Sequence, residues 1–410
     1  PQSNGLSFAG MDNRFNNLTI DGSVFNNNFG LQALNGSQTN STPISLDAIE
    51  EIQINLSPYD VRQGGFTGAG INAVTRSGSN ELHGSAFFNM RNQNFVGKKA
   101  NSTTDNVTVA NFDVKQYGFR LGGPLIKNKL FFFVNGEVEQ RVDPGTSFTS
   151  KKADANLNNA TTTTRVLDSD LTDLSAYLKS KYNYNTGGYE GYKFNTQSYK
   201  GLARLDYTLN KSNSFTLRYN FLKSQRDVPI SNSGSVGGNR RDNLNAITFE
   251  NSNYIIHNDI QSIIGEWNAN FGSKYSNKLI GGFTANRDYR GSNSSIFPLV
   301  DILNGGTSYI TFGYEPFTPN NVLNTDTWQL SDNFTAFVGK HTFSMGASVE
   351  SFKFTNTFTP TLYGQFIFNS LADFYASSNA YLANPTGKDT SVILNKYANS
   401  FSALDDRSPW

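Results

Sequence analysis

The chain has 410 residues, with 34 Lys and Arg against 33 Asp and Glu, so its formal net charge is +1. Near-neutrality disfavours a nucleic-acid binder, which carries a basic excess. The lack of cysteine excludes disulfides, zinc–thiolate sites, iron–sulfur clusters and a thiol nucleophile.

Charged residues make up 16% of the chain, against ~25% in soluble domains, while 13% are aromatic and 36 are glycine. A chain that is polar without being charged disfavours helices and suits two-faced strands joined by Asn/Gly-rich loops. The histidines, His83, His257 and His341, lie far apart in sequence, so a histidine metal site would need the fold to gather all of them.

Residues 1–82 hold short elements. Asn17 to Ile20 reads as a strand ending at the turn Asp21-Gly22, and residues 26–43 form a polar loop. Ser45 to Glu50 reads as a short helix with Ser45 as its cap and acidic residues in its first turns. In Glu51 to Leu56, Ile52, Ile54 and Leu56 alternate with polar residues. A stretch punctuated by Gly64, Gly65, Gly68 and Gly70 leads to a strand over Ile71 to Thr75. That stretch lacks the endings of phosphate-binding loops, so close packing explains its glycines better. Glu50 and Glu51 end a helix and begin a strand, so they diverge instead of forming an acid–base pair.

From residue 83 onward, long alternating strands take over. In the hairpin 201–222, Ala203, Leu205, Tyr207 and Leu209 share one face with Phe215, Leu217, Tyr219 and Phe221 beyond the turn. Arg204, Asp206, Thr216, Arg218 and Asn220 take the other. The pattern recurs around turns near 124–129, 272–276 and 339–341, and predicts roughly ten strands. Alternate connections are long, at 143–196, 226–252, 291–323 and 358–400. Within the first of these, Leu171, Leu174 and Leu178 make an amphipathic helical stripe, expected to pack on its own loop.

No segment approaches the ~20 apolar residues of a membrane helix, and Pro1 to Asn4 do not resemble a secretory leader. Short turns alternating with long loops suit a transmembrane β-barrel. So do strands of ~9–11 residues or more, and aromatic residues such as Trp267, Trp328, Tyr207 and Tyr219 near strand ends. A soluble β-sandwich remains the alternative.

Two segments then resemble the plug of TonB-dependent outer-membrane transporters: Ser45 to Ile54 and Gly68 to Gly78. Tyr59 to Gly68, and the junction Asn80 to Ser85, resemble the Oar-like branch found in Bacteroidetes and myxobacteria. The resemblance implies an all-β membrane protein: the C-terminal part of a plug at 1–82, then about the first ten strands of a 22-stranded antiparallel barrel at 83–410. It implies non-catalytic import of a large or scarce nutrient across the outer membrane of a Gram-negative bacterium, with no cofactor. The implied partners are the TonB–ExbB–ExbD complex, outer-membrane lipids including lipopolysaccharide, and a surface lipoprotein. No TonB box is recognisable, and the chain reads as part of a longer one, because open strand edges in lipid are costly.

Two sets of site residues follow. Asn13, Arg14, Asn16, Asn26, Asn27 and Asn28 are candidate plug apices contacting substrate; the alternative is a solvated loop. Arg62, Arg76, Glu137, Glu139 and Arg141 are candidates for a charged latch between plug and wall; the alternative is a wet lumen lined by charges. Two other roles stay open: a barrel acting as scaffold in a surface or protein-export complex, and a β-rich adhesin or glycan-binding protein.

Overall fold

The computed structural model describes residues 7–8, 10–26, 37–56, 67–97, 99, 109–387 and 394–400. The chain first forms β1 (Asn17–Ile20), β2 (Ser23–Val24), β3 (Ile49–Leu56) and β4 (Ala69–Thr75). These make a small sheet in the order β2-β1-β4-β3. The turn between β1 and β2 places Asp21 at φ 49°, a left-handed conformation that Asp tolerates. The expected short helix is a 3-10 turn at Leu46–Ala48, where the Asp47 N–H donates to Ser45 Oγ at 3.2 Å.

The remaining elements follow in order: β5 (His83–Asn92), β6 (Asp113–Ile126), β7 (Leu130–Pro144), β8 (Thr149–Lys151), β9 (Thr163–Leu167), α1 (Asp168–Tyr182), β10 (Lys193–Asn210) and β11 (Asn213–Val228). Next come β12 (Ile247–Thr248), β13 (Tyr254–Phe271), β14 (Tyr275–Ser292), β15 (Leu299–Asn304), β16 (Thr307–Phe312), β17 (Val322–Val338) and β18 (His341–Thr357). The last are β19 (Gln365–Phe368), α2 (Leu371–Ala383) and β20 (Leu394–Ala398). Nine of the strands pair antiparallel in one sheet, in the order β18-β17-β14-β13-β11-β10-β7-β6-β5.

The predicted alternation sets the register of that sheet. Ala203 lies opposite Tyr219, Leu205 opposite Leu217, and Tyr207 opposite Phe215. Burial then runs opposite to that of a water-soluble sheet. Leu205, Leu217, Tyr219 and Ile263 are exposed, as is Trp328 at 60%, while Lys200, Arg218, Asn220 and Ser262 are buried. Charged residues are almost never buried without partners, and here the N-terminal sheet covers them. Ile20, Phe25, Ile44, Ala48 and Ala73 pack on Phe133, Leu202, Leu222 and Ile260 of the large sheet.

The long connections do not remain loops. They assemble a five-stranded sheet, β12-β16-β15-β19-β20, flanked by α1 and α2. Leu171, Leu174 and Leu178 are fully buried in a core that includes Ile247, Phe249, Ile302, Phe312 and Phe374. Helix α1 therefore packs on strands from the other connections, not merely on its own loop. The expected helix forms, but the stretch Leu299 to Leu303 is buried on both faces and gave no alternation by which to read it as a strand.

Candidate functional site

The contact between the N-terminal sheet and the wall is built from charges. Asp21, held at the β1–β2 turn, accepts from Thr75 N at 2.9 Å and Thr75 Oγ1 at 2.6 Å, which tie it to β4. Its carboxylate also meets Arg218 Nη1 of β11 at 2.5 Å and lies 3.9 Å from Arg204 Nη1 of β10. Arg218 is only 5% exposed. Its other Nη lies 3.5 Å from Glu266 of β13, which in turn is 3.3 Å from Lys278 Nζ of β14. Arg204 donates to the Thr75 carbonyl at 3.1 Å and pairs with Asp206 at 2.8 Å. One acidic turn thus engages a charge chain spanning four wall strands.

Two further clusters join the same surfaces. Ser45 Oγ donates to Glu137 Oε2 at 2.5 Å, and Lys200 Nζ bridges Glu137 Oε1 at 2.8 Å and Thr42 Oγ1 at 3.1 Å. Asp47 pairs with Arg120 of β6 at 3.3 Å and accepts from Ser85 Oγ of β5 at 3.2 Å. Smaller links are Thr39 Oγ1 to Ser224 Oγ at 2.7 Å and Val24 N to Gln329 Oε1 at 3.3 Å.

Among the residues singled out from sequence as latch candidates, Glu137 sits at this contact, and Glu139 lies 3.6 Å from Lys200 beside it. Arg76 pairs with Glu50 at 2.7 Å within the N-terminal sheet, and Arg141 with Asp143 at 2.6 Å within the wall. Arg62 lies outside the described residues. Of the apex candidates, Asn13 and Asn16 are buried, and Asn16 Oδ1 accepts from Ala69 N at 2.9 Å. Asn26 accepts from Leu18 N at 2.7 Å and donates to Asn17 at 2.7 Å. Arg14 is exposed beside Asp12, at 3.0 Å. Asn27 and Asn28 lie outside the described residues. Sequence reasoning left out Asp21, Asp47, Arg120, Lys200, Arg204, Arg218 and Glu266 as partners. The available signal was the placement of Arg204, Asp206 and Arg218 on one polar strand face.

The unit built from the connections holds its own buried polar groups. Arg240 is fully buried and lies 3.0 Å from Asp301, which also accepts from Thr311 Oγ1 at 2.8 Å and Gln365 Nε2 at 2.9 Å. Tyr309 donates to Asp170 at 2.7 Å, and burial pushes its hydroxyl up to about 12. Burial also raises the carboxyls of Asp242 and Glu315 above their ordinary range. Lys152 bridges Asp168 and Glu190; its hydrogen bond holds the Asp168 carboxyl below the usual range.

A family model described as outer membrane beta barrel domain matches residues 74–403. The chain belongs to the outer-membrane β-barrel family. Membership explains the inverted burial of the large sheet: its exposed apolar face meets lipid, and its polar face looks into the barrel. The protein therefore resides in the outer membrane of a Gram-negative bacterium. It is 34% identical over 134 residues to the TonB-dependent transporter Oar of Myxococcus xanthus, which covers 32% of this chain and 12% of that protein. The fold of this barrel chain also matches the outer membrane transporter YddB of Escherichia coli, with a TM-score of 0.56 at 12% identity. That match covers 88% of this chain and 44% of YddB, so the chain spans less than half of either relative.

Proposed function

We propose that this barrel chain is part of a TonB-dependent importer of the Oar-like branch, with residues 1–82 acting as plug and residues 83–410 as about half of a 22-stranded wall. Further strands at the edges β5 and β18 complete the barrel. The observation that supports this reading best is the Asp21–Arg218–Glu266 chain with its Ser45–Glu137–Lys200 neighbour. Such a seal holds the pore shut through several ion pairs, which a pull on the N-terminal sheet breaks one after another. TonB–ExbB–ExbD supplies the pull. Arg14 presents the substrate-facing apex, while Asn13, Asn16 and Asn26 brace it. The Arg76–Glu50 pair stiffens the plug itself.

The test needs no substrate, because the chain has no cysteine. Ser224→Cys places a thiol beneath the N-terminal sheet. In energised cells it reacts with a maleimide that enters from outside, and deleting TonB or adding an uncoupler suppresses the reaction. Equal labelling with and without TonB sinks the proposal. The pair Thr39→Cys and Ser224→Cys, oxidised to a disulfide, locks the sheet to the wall.

A second reading, a scaffold for a surface lipoprotein, draws on the folded α/β unit formed by the connections. Stoichiometric co-purification of a lipoprotein in detergent, together with TonB-independent labelling, would favour it.

A further inference from the structure

We propose that the lipid-facing surface carries a built site for one anionic phospholipid of the inner leaflet. The site is a groove of about 560 Å³ on the outer face of the wall, within the size range of specific ligand pockets. Its lining includes Leu205, Tyr207, Leu217, Trp267, Leu279 and Leu330. Its floor is Gly265 and Gly281, which face each other across β13 and β14. Leu217 flanks Gly265 on one side, and Leu330 flanks Gly281 on the other.

Those two glycines differ from others in the same sheet. A Cβ at Gly201 would lie 2.2 Å from the Phe221 ring, and one at Gly282 would lie 2.3 Å from Ile264 Cδ1. At Gly265 the nearest atom would be 3.9 Å away, and at Gly281 3.4 Å. Neither position has positive φ. Packing and backbone conformation therefore leave room for side chains here, and their absence opens the groove.

One end of the groove is cationic. Leu130 and Tyr207 line that end, and Lys129 Nζ sits 5.9 Å from the centre of the Tyr207 ring. Lys211 and Lys274 occupy the next two short turns along the sheet. None of the three lysines has an ion-pair partner among the described residues. Short turns mark the periplasmic end of such barrels, so these cations stand at the inner-leaflet headgroup level. An acyl chain fits along the glycine floor, and the phosphate meets Lys129. Trp267, whose Nε1 donates to Asn213 Oδ1 at 3.0 Å, sits at the same level as an interfacial anchor. The inference rests on the membrane orientation and not on transport.

The test is native mass spectrometry of the full chain in detergent, titrated with dioleoyl-phosphatidylglycerol or the zwitterionic dioleoyl-phosphatidylcholine. The expected result is one retained phosphatidylglycerol per chain and no comparable retention of phosphatidylcholine. Lys129→Gln should weaken retention about fivefold, the factor one lysine contributes at an anionic surface. Gly265→Leu fills the groove and should abolish retention; its folding is checked by thermal unfolding in the same detergent. Equal retention of the two lipids, or wild-type retention by Lys129→Gln or by a folded Gly265→Leu, would overturn the site.

Discussion

Asp21 and Arg76 both sit in the N-terminal sheet and both form ion pairs, yet their surroundings differ. Asp21 meets an Arg218 side chain that is 5% exposed, whereas the Arg76 and Glu50 side chains are 34% and 59% exposed. Removing one member of a buried pair strands the other charge, which costs about 3–5 kcal/mol. Asp21→Ala should therefore loosen the N-terminal sheet by about that amount, read as lost amide protection over β1 and β4. Arg76→Ala should cost no more than about 1 kcal/mol in the same experiment, because water screens its pair. Comparable losses from the two substitutions would show that the Asp21 contact is not the seal.

The buried carboxyl of Glu315 sets a pH dependence. It accepts from Phe317 N at 2.9 Å and Thr318 Oγ1 at 2.7 Å, and its nearest cation, Arg290, stands 4.0 Å away. Burial raises its folded pKa above the ordinary value of 4.5. The folded state thus holds the proton more tightly, and this stabilising contribution is complete below 4.5 and lost as pH rises through the folded pKa. Asp242 acts with the same sign. Asp168 acts with the opposite sign: its lowered pKa stabilises above 3.8, and that stability is lost as pH falls through the folded value. Protection of the α/β unit should therefore rise as pH drops from neutrality towards the carboxylate range, then fall below it. Glu315→Gln should flatten the neutral arm; an unchanged profile would remove Glu315 as its source.

At the scale of elements, the wall hairpins and the α/β unit obey different rules. The wall strands were legible because lipid on one side and a polar interior on the other impose a period of two, visible in Leu205 and Leu217 against Arg204 and Arg218. Helix α1 was legible through its leucine stripe. What α1 packs against was not, because Leu299 to Leu303 and Tyr309 to Phe312 are buried on both faces and carry no alternation. Leu174→Ala should cost about 2–5 kcal/mol, since the side chain is fully buried. The loss should be confined to the α/β unit, whose core shares no residue with the one beneath the wall. Hydrogen exchange should show α1, β12, β15, β16 and β19 loosening while β10, β11, β13 and β14 keep their protection. Loosening of the wall strands as well would mean that the two cores fold as one.

For the whole molecule, the solvent decides what a substitution costs. Ile263 lies midway along β13 and is 47% exposed. In water, a charged residue at such a site changes stability by no more than about 0.5 kcal/mol. At the midplane of a bilayer, Arg on the lipid face of a barrel costs about 2–4 kcal/mol. Ile263→Arg should therefore destabilise the protein by that larger amount in lipid vesicles, measured by urea unfolding. A near-neutral effect would place this face in water.

By itself, the sequence determined the strands of the wall and their short turns. It could do so because each is written in neighbouring residues, through side-chain alternation and turn chemistry. Only the tertiary structure decided which polar residues meet. Arg218 on a polar strand face is equally compatible with water and with a carboxylate, and nothing near it in sequence names Asp21. The same holds for the connections, whose strands become a sheet only when four distant segments bury one another.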